Sequence, residues 1–397
     1  MARQPAARQA RHNALTGAPP RLRPDLHQSM VDARLWRRFD WLLLTAVILL
    51  VTFGVAMIFS ATRNEGNPSV ERSWLDQAIT AVIGLMVLMT FSILDYTLLK
   101  NFAAPIYIGV VAALALVLII GIERQGARRW FSLGGFDLQP GELAKLALTI
   151  VLAKLIADRQ GRRPYLETLL LSSLLVAPCI VLILLQPNLS TALTIAFLWL
   201  VIVFVGGIER QHILIMSVVG LAIVLLVTQL PAFQTYQLRR IELLLGLTDE
   251  PGANYQSEQA LIALGNGGLF GQGYLQGQQT QLRFFPVRHT DFIFSVIGEE
   301  LGFVGCVIFM VLLATVILRA LRAAIIARDT FGRLLCTGIA ATLFLQTYIN
   351  LAMQVGLMPV TGVPLPFVSY ARSSLITLMI AVGIVESVAM RYKKLEF

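Results

Sequence analysis

Apolar residues in this chain come in long unbroken runs, not in the alternation of a half-buried strand or the one-sided stripe of a surface helix. Runs of this length suit helices that cross a bilayer, since about 20 helical residues span a hydrocarbon core of roughly 30 Å. The pattern predicts about ten spans, over residues 40–61, 77–94, 102–121, 140–157, 166–185, 189–206, 212–230, 291–318, 332–354 and 372–390. Only Gln186-Pro187-Asn188 punctuates the fifth and sixth. The longest polar connection covers residues 231–290, and a Pro/Gly-rich loop from Gly356 to Tyr370 precedes the last span. The expected fold is therefore all-α: a polytopic integral membrane protein with one large extracytoplasmic loop.

Composition agrees with the pattern. The 397 residues are 56% hydrophobic and 14% charged, against roughly 25% charged in soluble domains. Cys179, Cys306 and Cys336 lie inside apolar runs without metal-ligand spacing, which reads as packing, not disulfide chemistry. Residues 1–38 form a basic tail with no apolar segment of a signal peptide, residues 39–390 a transmembrane domain, and residues 391–397 a short C-terminal tail. A basic tail beside a first span fixes topology and touches anionic membrane lipids; no nucleic acid partner is expected.

Charge also predicts orientation. With the tail cytoplasmic, about 21 of the 32 Lys and Arg fall on the cytoplasmic side and about ten outside, which puts both termini inside and residues 231–290 outside. Arg128, Arg129, Arg239, Arg240, Arg283, Arg288 and Arg372 are the outer exceptions, most of them near span ends. Any one of them suits lipid phosphate; together they suit an anionic, lipid-linked substrate.

Four acidic positions and one lysine stand out among the charges in the apolar runs. Glu142 and Lys145, three residues apart, share a helix face and can neutralise each other. A helix start explains Glu142 behind Pro140, but it does not explain Lys145. Glu299 and Glu300 lie deeper than Asp291, as a structural pair or part of a proton pathway. Asp291 opens a predicted span. From position alone it reads as a helix cap, with Thr290 able to share that job.

An ordered set of segments changes that reading. They are Gly126-Ala127-Arg128-Arg129-Trp130, Gln139 to Lys145, Gln186 to Ala192, Tyr255-Gln256, Gly265 to Gly268, Gly271-Gln272-Gly273, Pro286 with His289 to Phe294, Gly298 to Gly302, and Pro359 to Tyr370 with Ser373-Ser374. The set resembles the SEDS family of cell shape and division proteins, whose RodA and FtsW members polymerise peptidoglycan. The stretch from Gly277 to Pro286 looks more like RodA. The resemblance implies ten spans in the bacterial cytoplasmic (inner) membrane, a glycosyltransferase acting on lipid II at its outer face, and a class B penicillin-binding protein as partner. It implies Asp291 as the catalytic carboxylate. It implies substrate contacts from Glu142, Lys145, Arg128, Arg129, Arg288, His289, Thr290 and Ser369.

A single carboxylate suits this chemistry. The acceptor hydroxyl needs a base, while a diphosphate leaves without an acid and asks only for charge neutralisation. Arginines, Lys145 or a divalent cation (Mg2+ or Mn2+) are the candidates for that. The chain departs from the family pattern at Gly141, Asn188, Ser190, Val287, Ala371 and Arg372, losing two acids and gaining a cation around the expected site. A transporter or flippase, and a scaffold without activity, are the competing readings.

Overall fold

The computed structural model describes residues 36–63, 66–124, 127–134, 136–161, 165–215, 218, 220, 255–282 and 288–392. Most of the basic tail, most of the expected span at 212–230, residues 231–254 of the long loop, Arg239, Arg240, Arg283, Val287 and most of the C-terminal tail lie outside them. Residues 1–39 form a unit separate from residues 40–397.

Among the described residues, seven helical stretches are long and apolar enough to cross a membrane. The chain runs through α1 (Trp41–Thr62), α2 (Pro68–Glu71), α3 (Ser73–Ile93), α4 (Leu99–Ile120), α5 (Pro140–Asp158), α6 (Tyr165–Leu185), α7 (Leu189–Val205), α8 (Tyr255–Asn266), α9 (Gln278–Gln281), α10 (Ile293–Ile326), α11 (Thr330–Gln354) and α12 (Arg372–Met390). α5 and α7 occupy two further expected spans; α5 carries charge and α7 has only 17 residues.

The structure moves some expected boundaries, and polar contacts explain each move. The second span starts at Pro68, earlier than 77, because Asn67 caps it and Asp76 finds Arg372 at 3.8 Å. The eighth continues to Ile326, past 318, because Arg319 donates from Nε to Asp40 at 2.5 Å. The sequence reading assigns no strand; the structure forms a small antiparallel sheet, β1 (Ile122–Arg124), β2 (Ala127–Leu133) and β3 (Phe136–Leu138), between α4 and α5.

The most consequential feature is a break in α10 at Gly302, where φ is 66° and ψ −164°. Such a break frees main-chain groups inside the membrane, where no bulk water can satisfy them. The glycine-rich segment before α9 takes their place. Gln272 N donates to Glu299 O at 2.9 Å and Gly273 N to Glu300 O at 3.0 Å. Phe303 N donates to Gly268 O at 2.9 Å and Val304 N to Leu269 O at 3.1 Å. These are the two carbonyls and two amides that an unbroken helix would pair with each other.

The approach is too close for side chains. A Cβ at Gly302 would lie 2.3 Å from Gly271 N, and one at Gly271 would lie 2.1 Å from Glu300 O.

Glu299 and Glu300, expected as a structural pair or a proton path, serve this junction. Glu299 accepts from Gln279 N (2.6 Å), Thr280 N (3.0 Å) and Thr280 Oγ1 (2.6 Å), so it caps α9 from another helix. Glu300 accepts from Ser60 Oγ on α1.

Replacing Gly302 by Val is expected to destabilise the fold by about 3 kcal/mol or more, from left-handed strain plus the contact with Gly271. Thermal unfolding in detergent measures this, and a melting temperature equal to wild type would refute the account of the break.

Candidate functional site

Three non-helical segments meet at one end of the bundle: the turn 288–292, the connection from Gly121 to Gln139, and the loop 356–371. Asp291 lies in the turn, one residue before the N-cap of α10, which is Phe292 and makes no side-chain cap bond. The residue in the cap position is Phe292, one beyond the Asp291 that position alone suggested. A first-turn amide, Ser295 N, donates to Phe292 O at 3.1 Å and, across to α11, to Gln354 Oε1 at 2.7 Å. Ser295 Oγ donates to the same oxygen at 2.8 Å.

The Asp291 main chain is held on its other side by Asn350, whose Nδ2 donates to Asp291 O at 3.0 Å and to Val363 O at 2.8 Å. The carboxylate faces the neighbouring Gly362, where a Cβ would stand 3.8 Å from Asp291 Oδ2. Tyr370 N donates to His289 O at 3.0 Å, and the two rings lie 5.7 Å apart. Thr290 sits between His289 and Asp291 and is half-buried. Burial first, and the Arg288 charge second, push the His289 pKa down to about 4, so its imidazole is neutral at physiological pH.

Several predicted substrate contacts have structural employment. Arg288 is buried and donates from Nε to Ala61 O at 2.6 Å, satisfying a last-turn carbonyl of α1. Arg129 donates from Nε to Gln186 O at 2.8 Å and also to Pro187 O, at the end of α6. Ser369 Oγ accepts from Leu365 N at 2.8 Å, while its carbonyl accepts from Gln77 Nε2 at 3.1 Å. Arg128 is about half exposed on β2 with Glu123 at 3.5 Å. Arg372 stands over the Phe136 ring, 5.6 Å from its centre.

Glu142 and Lys145 do pair, at 2.6 Å, with both side chains buried. Ser374 Oγ donates to Glu142 Oε2 at 2.7 Å, and Gln139 N donates to Ser373 Oγ at 3.1 Å. The pair thus reaches the Asp291 turn through residues 369–374. A cavity of about 20 Å³ adjoins it, lined in part by Thr149, Thr342, Gln346 and Thr377.

Sequence reasoning missed Asn350 and Gln354. The available signal was two amides four residues apart in an apolar run, which share one helix face.

The motifs that are far apart in sequence are therefore neighbours in space. A family model for cell cycle proteins of the FtsW, RodA and SpoVE type matches residues 40–394. The chain belongs to this family.

A probable peptidoglycan glycosyltransferase FtsW from Geobacter sp. (strain M18) is 36% identical over 366 residues, covering 89% of this chain and 98% of its own. The peptidoglycan glycosyltransferase MrdB of Escherichia coli (strain K12) is 34% identical over 363 residues, covering 90% and 95%. Among solved structures, the rod shape determining protein RodA of Thermus thermophilus matches with a TM-score of 0.67 at 31% identity, over 90% of this chain and 98% of that one. A chain from a peptidoglycan synthase complex that coordinates polymerization and crosslinking matches at 0.73 and 32%, over 88% and 97%. This family member is a multi-pass membrane protein.

Two outcomes are expected here. Lys145→Met should cost about 3–5 kcal/mol, because it strands a buried carboxylate, and adding Glu142→Gln should recover much of the loss. Unfolding of both variants measures this; equal damage from the single and the double would contradict it.

The second concerns pH. The folded His289 pKa lies below the unfolded 6.5, so the unfolded chain binds more protons below that value. Its contribution is complete above about 6.5 and is lost as pH falls toward about 4. His289→Gln should flatten the fall in melting temperature across that window.

Proposed function

We propose that this chain is a peptidoglycan glycosyltransferase that polymerises lipid II at the outer face of the cytoplasmic membrane, with both termini inside and Asp291 as general base. The observation that carries the role of Asp291 is its setting: a carboxylate on a non-helical turn, facing a glycine in the opposing loop.

Asp291 takes the proton of the acceptor GlcNAc 4-hydroxyl as that oxygen bonds to the anomeric carbon of the donor MurNAc. The bond from that carbon to the diphosphate oxygen breaks in the same displacement. Configuration inverts from α to β, and undecaprenyl diphosphate leaves with the electron pair. Its charge needs neutralising and not protonation. Arg128, about half exposed on β2, is assigned to it; Arg129 and Arg288 bond main-chain carbonyls and Lys145 pairs with Glu142.

Among the described residues no three His, Cys, Asp or Glu side chains gather as ligands for a metal ion, and no step is assigned to one. His289 stays neutral beside the base and adds no competing charge. The polymerised strand passes to a crosslinking partner, a class B penicillin-binding protein, by analogy with the synthase complex.

Purified full-length Asp291→Asn is expected to lose polymerisation of lipid II by about 10²–10⁴-fold while binding it within a few-fold of wild type. Glycan strands resolved by electrophoresis report the first quantity and fluorescent lipid II the second. Strands at the wild-type rate would remove Asp291 from the mechanism. Lipid II crossing a vesicle wall without strand formation would favour a flippase.

A further inference from the structure

Asn350 is fully buried on α11, and all three of its side-chain bonds reach groups that matter for the position of Asp291. Its Nδ2 has two hydrogens and meets two carbonyls, those of Asp291 and Val363. Its Oδ1 accepts from Gln354 Nε2 at 2.6 Å. Gln354 in turn accepts from Ser295 N and Oγ.

Neither carbonyl that Asn350 binds belongs to a helix: one is in the turn 288–292 and the other in the loop 356–371. Carbonyls of irregular backbone that no amide of their own segment meets need a partner from outside when buried. A single amide group therefore fixes both walls of the gap where the carboxylate faces Gly362. Because an aspartate side chain is short, its oxygens follow the peptide that carries them.

We propose that Asn350 is a positioning residue for glycosyl transfer, setting the distance between the Asp291 carboxylate and the loop against which the acceptor hydroxyl must lie. Gln354 supports it by locking the same amide to the first turn of α10. The proposal rests on Asp291 being the base, and the experiment separates the two.

Full-length Asn350→Ala, Asn350→Asp and Asp291→Asn are compared in lipid II polymerisation across pH, with melting temperature measured on each. Asn350→Ala is expected to lower kcat by up to about 100-fold with KM within about threefold, since misplacement by about 1 Å costs that much. Asn350→Asp keeps the acceptor for Gln354 but cannot make both donations. It also puts a like charge near Asp291, which moves the acid limb of the kcat profile to higher pH.

Wild-type kcat in Asn350→Ala and an unmoved acid limb in Asn350→Asp, with only lower melting temperatures, would overturn the proposal and leave a purely structural asparagine. If Asp291→Asn is inactive while Asn350→Ala is normal, positioning alone has failed. If Asp291→Asn is active, the base assignment has failed and the proposal falls with it. Should Asn350→Ala not fold, Gln354→Met supplies the same readout: kcat lost with KM kept supports the clamp, and an unchanged kcat overturns it.

Discussion

A main-chain amide inside a bilayer has no water to fall back on, and the break in α10 at Gly302 exposes four such groups at once. The segment from Gly268 to Gly273 answers each of them, a donor for each carbonyl and an acceptor for each amide. That exchange fixes where α9 lies, because Glu299 beside the break caps it. It also fixes α1, which is tied to the same region through Ser60 and Glu300, Tyr274 to Ala56 O at 2.8 Å, and Arg288 to Ala61. The turn bearing Asp291 is the N-terminal end of the helix whose break is filled in this way.

The cations show a division of labour. Guanidinium groups at helix ends are bonded to orphan carbonyls, as Arg129 is beside α6 and Arg288 beside α1. Ion pairs serve the opposite end of the bundle as well: Lys100 meets Asp329 at 3.1 Å, and Tyr96 donates to the same carboxylate at 2.7 Å. Burial pushes the Asp329 pKa up, but the Tyr96, Gly332 and Lys100 bonds outweigh it and leave the pKa lowered. A count of arginines near a membrane boundary thus overstates how many of them meet a substrate.

Much of the fold was legible because bilayer thickness dictates run length, and runs are visible in a sequence. The departures occur where polar residues find partners that no local pattern reveals, as Asp76 finds Arg372 and Arg319 finds Asp40. The pairing of Glu142 with Lys145 was readable from spacing alone. The tie from α11 to the first turn of α10 was not: Gln354, more than fifty residues away, meets Ser295. Asn350 escaped notice for the same reason, since an amide inside an apolar run does not announce which carbonyls it will meet.

The glycine-rich stretch before α9 has the composition of a linker, yet it behaves as part of a measured joint. Residues 268, 269, 272 and 273 must meet residues 303, 304, 299 and 300 in fixed register, and Glu299 must still reach residues 279 and 280. Adding or deleting one residue between Gly268 and Thr280 would misalign one contact set or the other. Evolutionary change in length near this site must therefore be taken up elsewhere in the chain. A segment that looks expendable is bound by a length constraint at both of its ends.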